Sequence, residues 1–291
     1  MPARPPQPLE IGGRSFAWGS RTYVMGIINV TPDSFSGDGL MSAGADPVAA
    51  AVAQAEQMAA EGADLLDIGG QSTRPGHAQL SVEAELARVV PVVAAVRKAL
   101  PQMTLSIDTT AARVAEAALD AGAHLINDVW GTAAEPELLA LAAERQVPLV
   151  LMHNRAEARY VNLVAEVIAD LQRAVDTAMA AGIAWERLIV DPGIGFGKTP
   201  AHNLALLHDL AALQVLARPI LLGASRKSTI GKVLDLPADQ RVEGTVATTA
   251  LGVAANVDIV RVHDVQANVR AARMADAIVR GGWHEQGAAN K

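Results

Sequence analysis

IVDPGIGFGKT, residues 189–199, begins as a buried strand and ends in charge and glycine. The apolar pair Ile189-Val190 runs into Asp191, and a glycine-rich stretch follows at once. SIDTT (106–110) and ILLGASRKS (220–228) repeat the pattern, so Asp108, Asp191 and the pair Arg226-Lys227 each fall just past the C-terminal end of a predicted strand. Parallel α/β folds gather their sites at those ends. These charges are therefore expected around one shared site.

Working outward, the join that precedes such strands recurs. AAEGADLLDIGG (59–70), LDAGAHLINDVWG (119–131) and MAAGIAWERLIVDPG (179–193) each place a glycine, Gly62, Gly122 or Gly182, where a helix ends. Glycine suits the left-handed position after a helix, and an apolar strand follows within a few residues. Asn256 takes that role in VAANVDIVRVHD (253–264). The strands predicted this way are 24–30, 65–69, 104–108, 125–128, 148–152, 188–191, 220–223 and 259–262, with room for a helix in every gap. Asp46-Pro47 reads as an N-cap and first helical residue, and Asp264 as the cap of the last helix. Eight βα units favour a closed α/β barrel, the (β/α)8 TIM barrel, over a doubly wound sheet, and in a barrel every strand end faces one mouth. Residues 1–20 are expected as an N-terminal extension with a short hairpin under the barrel, 21–283 as the single barrel domain, and 284–291 as a C-terminal tail.

Composition narrows the function. With 51% hydrophobic and only 3% aromatic residues, the core must come from Ala, Val, Leu and Ile, as in parallel sheets covered by helices. A net charge of −7 argues against a nucleic-acid partner while allowing a local anion site. The absence of cysteine excludes disulfides and thiolate metal sites and fits a reducing cytoplasm. The opening MPARPPQPLEIGGRSFAWGS lacks the apolar core of a secretory signal, and no apolar run is long enough for a bilayer.

In strand order the mouth would collect Asn29, Ser72-Thr73-Arg74, Asp108, Asn127 with Asp128, His153, Asp191, Arg226 with Lys227, and Arg261 with His263. Any one of them could be a helix cap or a satisfied core group. The set is harder to dismiss, because cations recur at the strand ends of an acidic chain. Asn127 rather than Asp128 should face the mouth, since adjacent strand residues alternate. DPGIGFGKT is one residue short of a nucleotide-hydrolase phosphate loop, with Pro192 where the first glycine belongs. Phe196 is expected exposed at that loop's centre, either tucked on the rim or walling a pocket. ASRKS before a helix brings backbone N–H groups and two cations together beside Arg261 and His263, at the barrel's common phosphate position. His202 and His208 lack metal-ligand spacing. Asn29, an oxygen donor beside an anion pocket, would suit Mg2+ held jointly with substrate phosphates.

The ordered series IINVTPDSFS (27–36), DIGGQSTRPG (67–76), SIDTT, INDV (126–129), LMH (151–153), DPGIGFGKT, GASRKS (223–228) and RVHDV (261–265) resembles the dihydropteroate synthases, over about residues 22–280. The resemblance implies a barrel that joins 6-hydroxymethyl-7,8-dihydropterin diphosphate to 4-aminobenzoate, releasing diphosphate in folate synthesis. It places Asp108, Asn127, Asp191, Lys227 and Arg261 at the pterin, with Asp108, Lys227 and Arg261 catalytic. Asn29, Thr73, Arg74, Arg261 and His263 fall at the diphosphate, and Asn29 on Mg2+. Phe35, Pro75, Phe196 and Ser228 fall around 4-aminobenzoate, with Asp33 and Phe35 in a first mobile loop and Thr73 to Pro75 in a second. Gln71, Trp130 and Asn154-Arg155 depart from the usual pattern. A homodimer through the late helices and sensitivity to sulfonamide inhibitors are also implied, the last because nothing is inserted beside Phe196, and a sequence without room for a fused neighbouring enzyme is expected to be monofunctional.

The chemistry of these residue types agrees. A pterin presents adjacent N–H donors that a buried carboxylate can accept together, which suits Asp191, expected to stay ionised. Asn127 both donates and accepts, and Lys227 can donate to the ring carbonyl. An electron-rich dihydropterin can carry a cation at its exocyclic methylene, so diphosphate is expected to leave before the amine attacks. Two alternatives use the same pterin groups: a methyltetrahydrofolate methyltransferase serving a corrinoid protein, and a non-catalytic pterin-binding relative. The cations of GASRKS and RVHDV favour the synthase.

Overall fold

The computed structural model describes residues 7–30, 46–71, 80–133 and 135–281. Eight of its strands are parallel: β3 (Tyr23–Asn29), β4 (Leu65–Gly69), β5 (Thr104–Asp108), β6 (Leu125–Asp128), β7 (Leu149–Met152), β8 (Leu188–Asp191), β9 (Leu221–Leu222) and β10 (Ile259–Val262). They pair in the order β8-β7-β6-β5-β4-β3-β10-β9. The remaining seam closes through one parallel bridge, Val190 with Ile220, and a hydrogen bond from Val190 N to Pro219 O of 2.9 Å. Strand β9 is shorter than the predicted 220–223, and at its start the Ile220 N–H donates to Asp258 Oδ2 at 3.0 Å.

Alternation along each strand sorts the side chains. Val24, Leu66, Ile68, Leu105, Ile107, Ile126, Leu149, Leu151 and Val190 point outward into a core shared with the helices. Met25, Leu65, Leu125, Val150, Ile189, Leu221 and Ile259 point inward and fill the lower half of the barrel. The hairpin of β1 (Leu9–Ile11) and β2 (Arg14–Phe16) turns at Gly12 and Gly13, both at positive φ, as a two-residue hairpin turn requires. It lays Leu9, Ile11 and Phe16 against that lower layer. Thr104 Oγ1 donates to Ile11 O at 3.1 Å, and Phe16 meets Tyr23 at 4.8 Å between ring centroids. The bottom is sealed by apolar contact, so inward positions nearer the C-terminal strand ends are where polar groups can collect.

Helices α1 (Pro47–Ala60), α2 (Val82–Ala99), α3 (Ala112–Asp120), α4 (Pro136–Arg145), α5 (Leu163–Ala180), α6 (Pro200–His208), α7 (Ser228–Leu234), α8 (Val242–Ala254) and α9 (Val265–Arg280) cover the barrel. Asp46 caps α1 by accepting from Val48 N at 2.9 Å, with Pro47 at the first position. Gly62, Gly122, Gly182 and Asn256 all have positive φ, as the joins predict. Asp264 does not cap α9 with its side chain. Arg226 takes both its oxygens, at 3.0 and 2.6 Å. No helix of the described residues is long and apolar enough to cross a membrane.

Candidate active site

On one side of the mouth, strands β4, β5, β6 and β10 place four polar side chains in mutual contact. Their register sets Asp67 beside Ser106 and Asp108 beside Asn127. Arg261 lies between two carboxylates, with Nε 2.5 Å from Asp67 Oδ2 and Nη2 2.6 Å from Asp108 Oδ2. Asn127 Nδ2 donates to the same Asp67 oxygen at 2.9 Å. Burial pushes the Asp108 carboxyl up to about 7, opposed by Arg261 and reinforced by Asp67, Glu85 and Asp128. Burial alone would weaken the Arg261 charge, yet Asp67 and Asp108 hold its pKa above the ordinary arginine value. Asp67 Oδ1 and Ser106 Oγ have no hydrogen-bond partner among the described residues. Asp128 faces away, as alternation predicts: its Oδ1 accepts from Trp130 N at 2.8 Å.

The opposite side is built on β7, β8 and the loop after β8. Asp191 Oδ1 accepts from Gly193 N at 2.7 Å. Burial raises the pKa of Asp191, opposed by Lys227, the Gly193 N–H, Arg261 and Lys198. Burial lowers Lys227 to about 8, with Asp191 acting against it. Its Nζ donates to Ile194 O and lies 4.3 Å from the centroid of Phe196. Phe196 is half-buried beneath that ammonium rather than freely exposed. Gly193, Gly195 and Gly197 all have positive φ, and a Cβ on each would strike His153 O, the Lys227 stem and Arg155 O respectively. Only glycine lets this loop lie down on its neighbours.

Around these two walls sit the remaining predicted groups. Asn29 ends β3 and is partly exposed. His263 Nδ1 lies 3.0 Å from Ser225 Oγ, and Ser228 opens α7 on the surface. Arg226, at φ 56°, turns to Asp264 instead of joining Lys227. His153 is fully buried between Asp170 and Lys198. Asp33, Phe35, Ser72, Thr73, Arg74 and Pro75 lie outside the described residues. Among the described residues no group of three or more metal-binding side chains occurs.

Residues 25–263 match the family of pterin binding enzymes. The dihydropteroate synthase of Clostridium beijerinckii is 47% identical over 273 residues, spanning 94% of this chain and 100% of the relative. The solved Xanthomonas albilineans dihydropteroate synthase with 4-aminobenzoic acid superposes with a TM-score of 0.88 at 44% identity, covering 94% of this chain and 98% of that one. The same organism's enzyme in complex with 7,8-dihydropteroate gives 0.84 at 43%, covering 93% and 98%. The chain belongs to the dihydropteroate synthases.

Within this family assignment, Asp108, Asn127, Asp191, Lys227 and Arg261 occupy one mouth, and Lys227 and Asp191 are electrostatically linked across it to Arg261. Asp67 and Lys198 are absent from the residues predicted from sequence. Asp67 carried a readable signal: a lone charge inside Leu65–Gly69, on the same parity as the strand end. Lys198 lies within GFGKT, and the motif alone assigns it no role. The departures Trp130, Asn154 and Arg155 line a cleft of about 560 Å3 with Asp170 and Arg173 between α4 and α5.

Proposed function

We propose that this dihydropteroate synthase, an alkyl-transferring enzyme of folate biosynthesis, works by a dissociative mechanism, with the pterin seated between the two walls. The observation that carries this reading is the convergence of Asp108, Asn127, Asp191 and Lys227 from four different strand ends on the Arg261 cluster. Asp191 would accept the adjacent ring N–H groups, Asn127 would donate and accept beside them, and Lys227 would exchange Ile194 O for the ring carbonyl. Arg261 uses Nε and Nη2 on carboxylates, which leaves Nη1 for the departing diphosphate.

The bond from the exocyclic methylene carbon to the diphosphate oxygen breaks first, and its electron pair leaves with diphosphate. Asp108, ionised above about pH 7, offsets the positive charge on the ring. The amine nitrogen of 4-aminobenzoate then attacks the methylene and loses its proton to solvent. Asn29 has the right donor type for a cation held mainly by phosphate and water, and Mg2+ when bound would neutralise charge on diphosphate. Thr73, Arg74 and His263 would contact the diphosphate, and Phe35, Pro75, Phe196 and Ser228 the 4-aminobenzoate, by the family resemblance. Sulfonamides share the shape and amine of 4-aminobenzoate and would compete there.

Exposed Leu251 on α8 and Met274 and Ile278 on α9, at 64%, 64% and 71%, support a homodimer through these helices. The cysteine-free composition supports a cytoplasmic location. Incubation with pterin diphosphate, Mg2+ and 4-aminobenzoate should yield dihydropteroate and diphosphate in equal amounts. No product under those conditions, from folded protein, overturns the reading.

A further inference from the structure

Lys198 takes no part in the reaction above, yet it is among the most fully bonded side chains near the mouth. Its Nζ lies 3.0 Å from Gly193 O, 3.0 Å from Phe196 O and 2.8 Å from His153 Nδ1. An ammonium has three protons and no lone pair, so these three acceptors satisfy it, with His153 O more distant at 3.5 Å. His153 Nδ1 must then accept, which puts the imidazole proton on Nε2, 3.1 Å from Asp170 Oδ2. Burial, then the nearby Lys198 charge, lowers His153 to about 4, in keeping with a neutral ring. Asp170 is held further by Arg155 Nε, 2.8 Å from the same Oδ2, and by Arg173 on Oδ1.

The two carbonyls that Lys198 grips are the ends of one tight turn. Phe196 N donates to Gly193 O at 3.1 Å, so holding both oxygens sets the width of the turn and the direction of the Phe196 ring. Other bonds fix the loop elsewhere: Asn203 Oδ1 accepts from Gly195 N at 2.8 Å, and Tyr160 OH donates to Gly197 O at 2.8 Å. The first holds an N–H inside the turn and the second a carbonyl just past it, whereas Lys198 binds the carbonyls at both ends of the turn. We propose that Lys198, oriented by His153 and Asp170, is a positioning residue that fixes Phe196 as a wall of the 4-aminobenzoate site. This rests on the reading of Phe196 as that wall.

The groups facing Lys198 are Asp191 on β8, Asp170 on α5, His153 and Arg155 after β7, and Lys227 before α7. Burial, with Lys227 and Arg155, lowers it to about 7 against the pull of Asp191 and Asp170. Above that pH it loses one of three donors. Lys198→Met keeps the stem and removes every donor. The expected result at pH 6 is a KM for 4-aminobenzoate raised about tenfold, with the KM for pterin diphosphate changed by less than about threefold. The gap from the unmodified enzyme should narrow by pH 9. Phe196→Ala serves as control and should also raise the 4-aminobenzoate KM. If it does and Lys198→Met does not, or raises both KM values alike, the proposal is overturned and the Phe196 reading stands. If Phe196→Ala changes nothing, both fall. Should Lys198→Met fail to fold, Lys198→Gln retains one donor group and is expected to raise the 4-aminobenzoate KM about threefold; no rise overturns the proposal.

Discussion

On the β4, β5, β6 and β10 side of the mouth the polar side chains are bonded to one another: Arg261 to Asp67 and Asp108, and Asn127 to Asp67. On the β7 and β8 side they are bonded chiefly to backbone: Lys227 to Ile194 O, Lys198 to Gly193 O and Phe196 O as well as His153 Nδ1, Asp191 to Gly193 N. The first arrangement stores charge that a ligand can redistribute, because each ion can trade one partner for another. The second stores shape, because each bond fixes a stretch of main chain. A reaction that generates a ring cation beside a departing anion needs the first, and an aromatic amine that must approach one carbon atom needs the second.

The sharpest way to break this contrast is Arg261→Leu. It leaves Asp67 and Asp108 buried side by side without a cation, at a cost of about 3–5 kcal/mol at pH 8 in urea unfolding. The sign of its pH dependence follows from Asp108, whose folded pKa already stands near 7 against an ordinary 3.8. Without the guanidinium that value rises further, the folded state binds more protons than the unfolded chain, and stability falls as pH rises. The loss should therefore be smaller at pH 5. An equal loss at both values would mean that the cluster is not held by charge.

Asp191→Asn examines the other wall. Pterin affinity by calorimetry should weaken by about 2–4 kcal/mol, as for a buried charge-assisted pair. Unchanged affinity would reduce Asp191 to the group that ties down Gly193 N.

The difference between the walls also explains what could be read in the sequence. The barrel was legible because its signals are local: Gly62, Gly122 and Gly182 at the joins, and the apolar runs between them. The strand-end residues Asp108, Asn127, Asp191 and Arg261 were legible for the same reason, each being a polar side chain where an apolar run stops. Asp67 lies two residues inside its strand, where only its parity with the strand end marks it. Asp264 and Arg226 misled, since an Asp before a helix looks like a cap until a distant Arg claims it. Lys198 was hidden by a deeper cause: its partners are main-chain carbonyls and a histidine 45 positions away, and carbonyls leave no mark in a sequence.

Two smaller effects sharpen the comparison. Asn29→Ala should lower turnover about tenfold at limiting Mg2+ and less at saturation; equal activity at every Mg2+ concentration would remove Asn29 from the metal. Asp128→Asn is the control on the outer face of β6. Burial holds Asp128 near 7 against its ordinary 3.8, opposed by the Trp130 N–H and helped by Glu135. The folded state binds the extra proton across that window, so stability declines as pH rises through it. The variant should show a shallower decline, with pterin affinity unchanged. A loss of pterin affinity would place Asp128 in the site.

The most direct test of the division of labour is positional isotope exchange in pterin diphosphate labelled at the bridging oxygen, with Mg2+ and without 4-aminobenzoate. If the charged wall alone drives departure, label should scramble into the non-bridging positions, and Lys198→Met should scramble it as fast as the unmodified enzyme. No scrambling in an enzyme that makes dihydropteroate once the amine is added would contradict departure before attack.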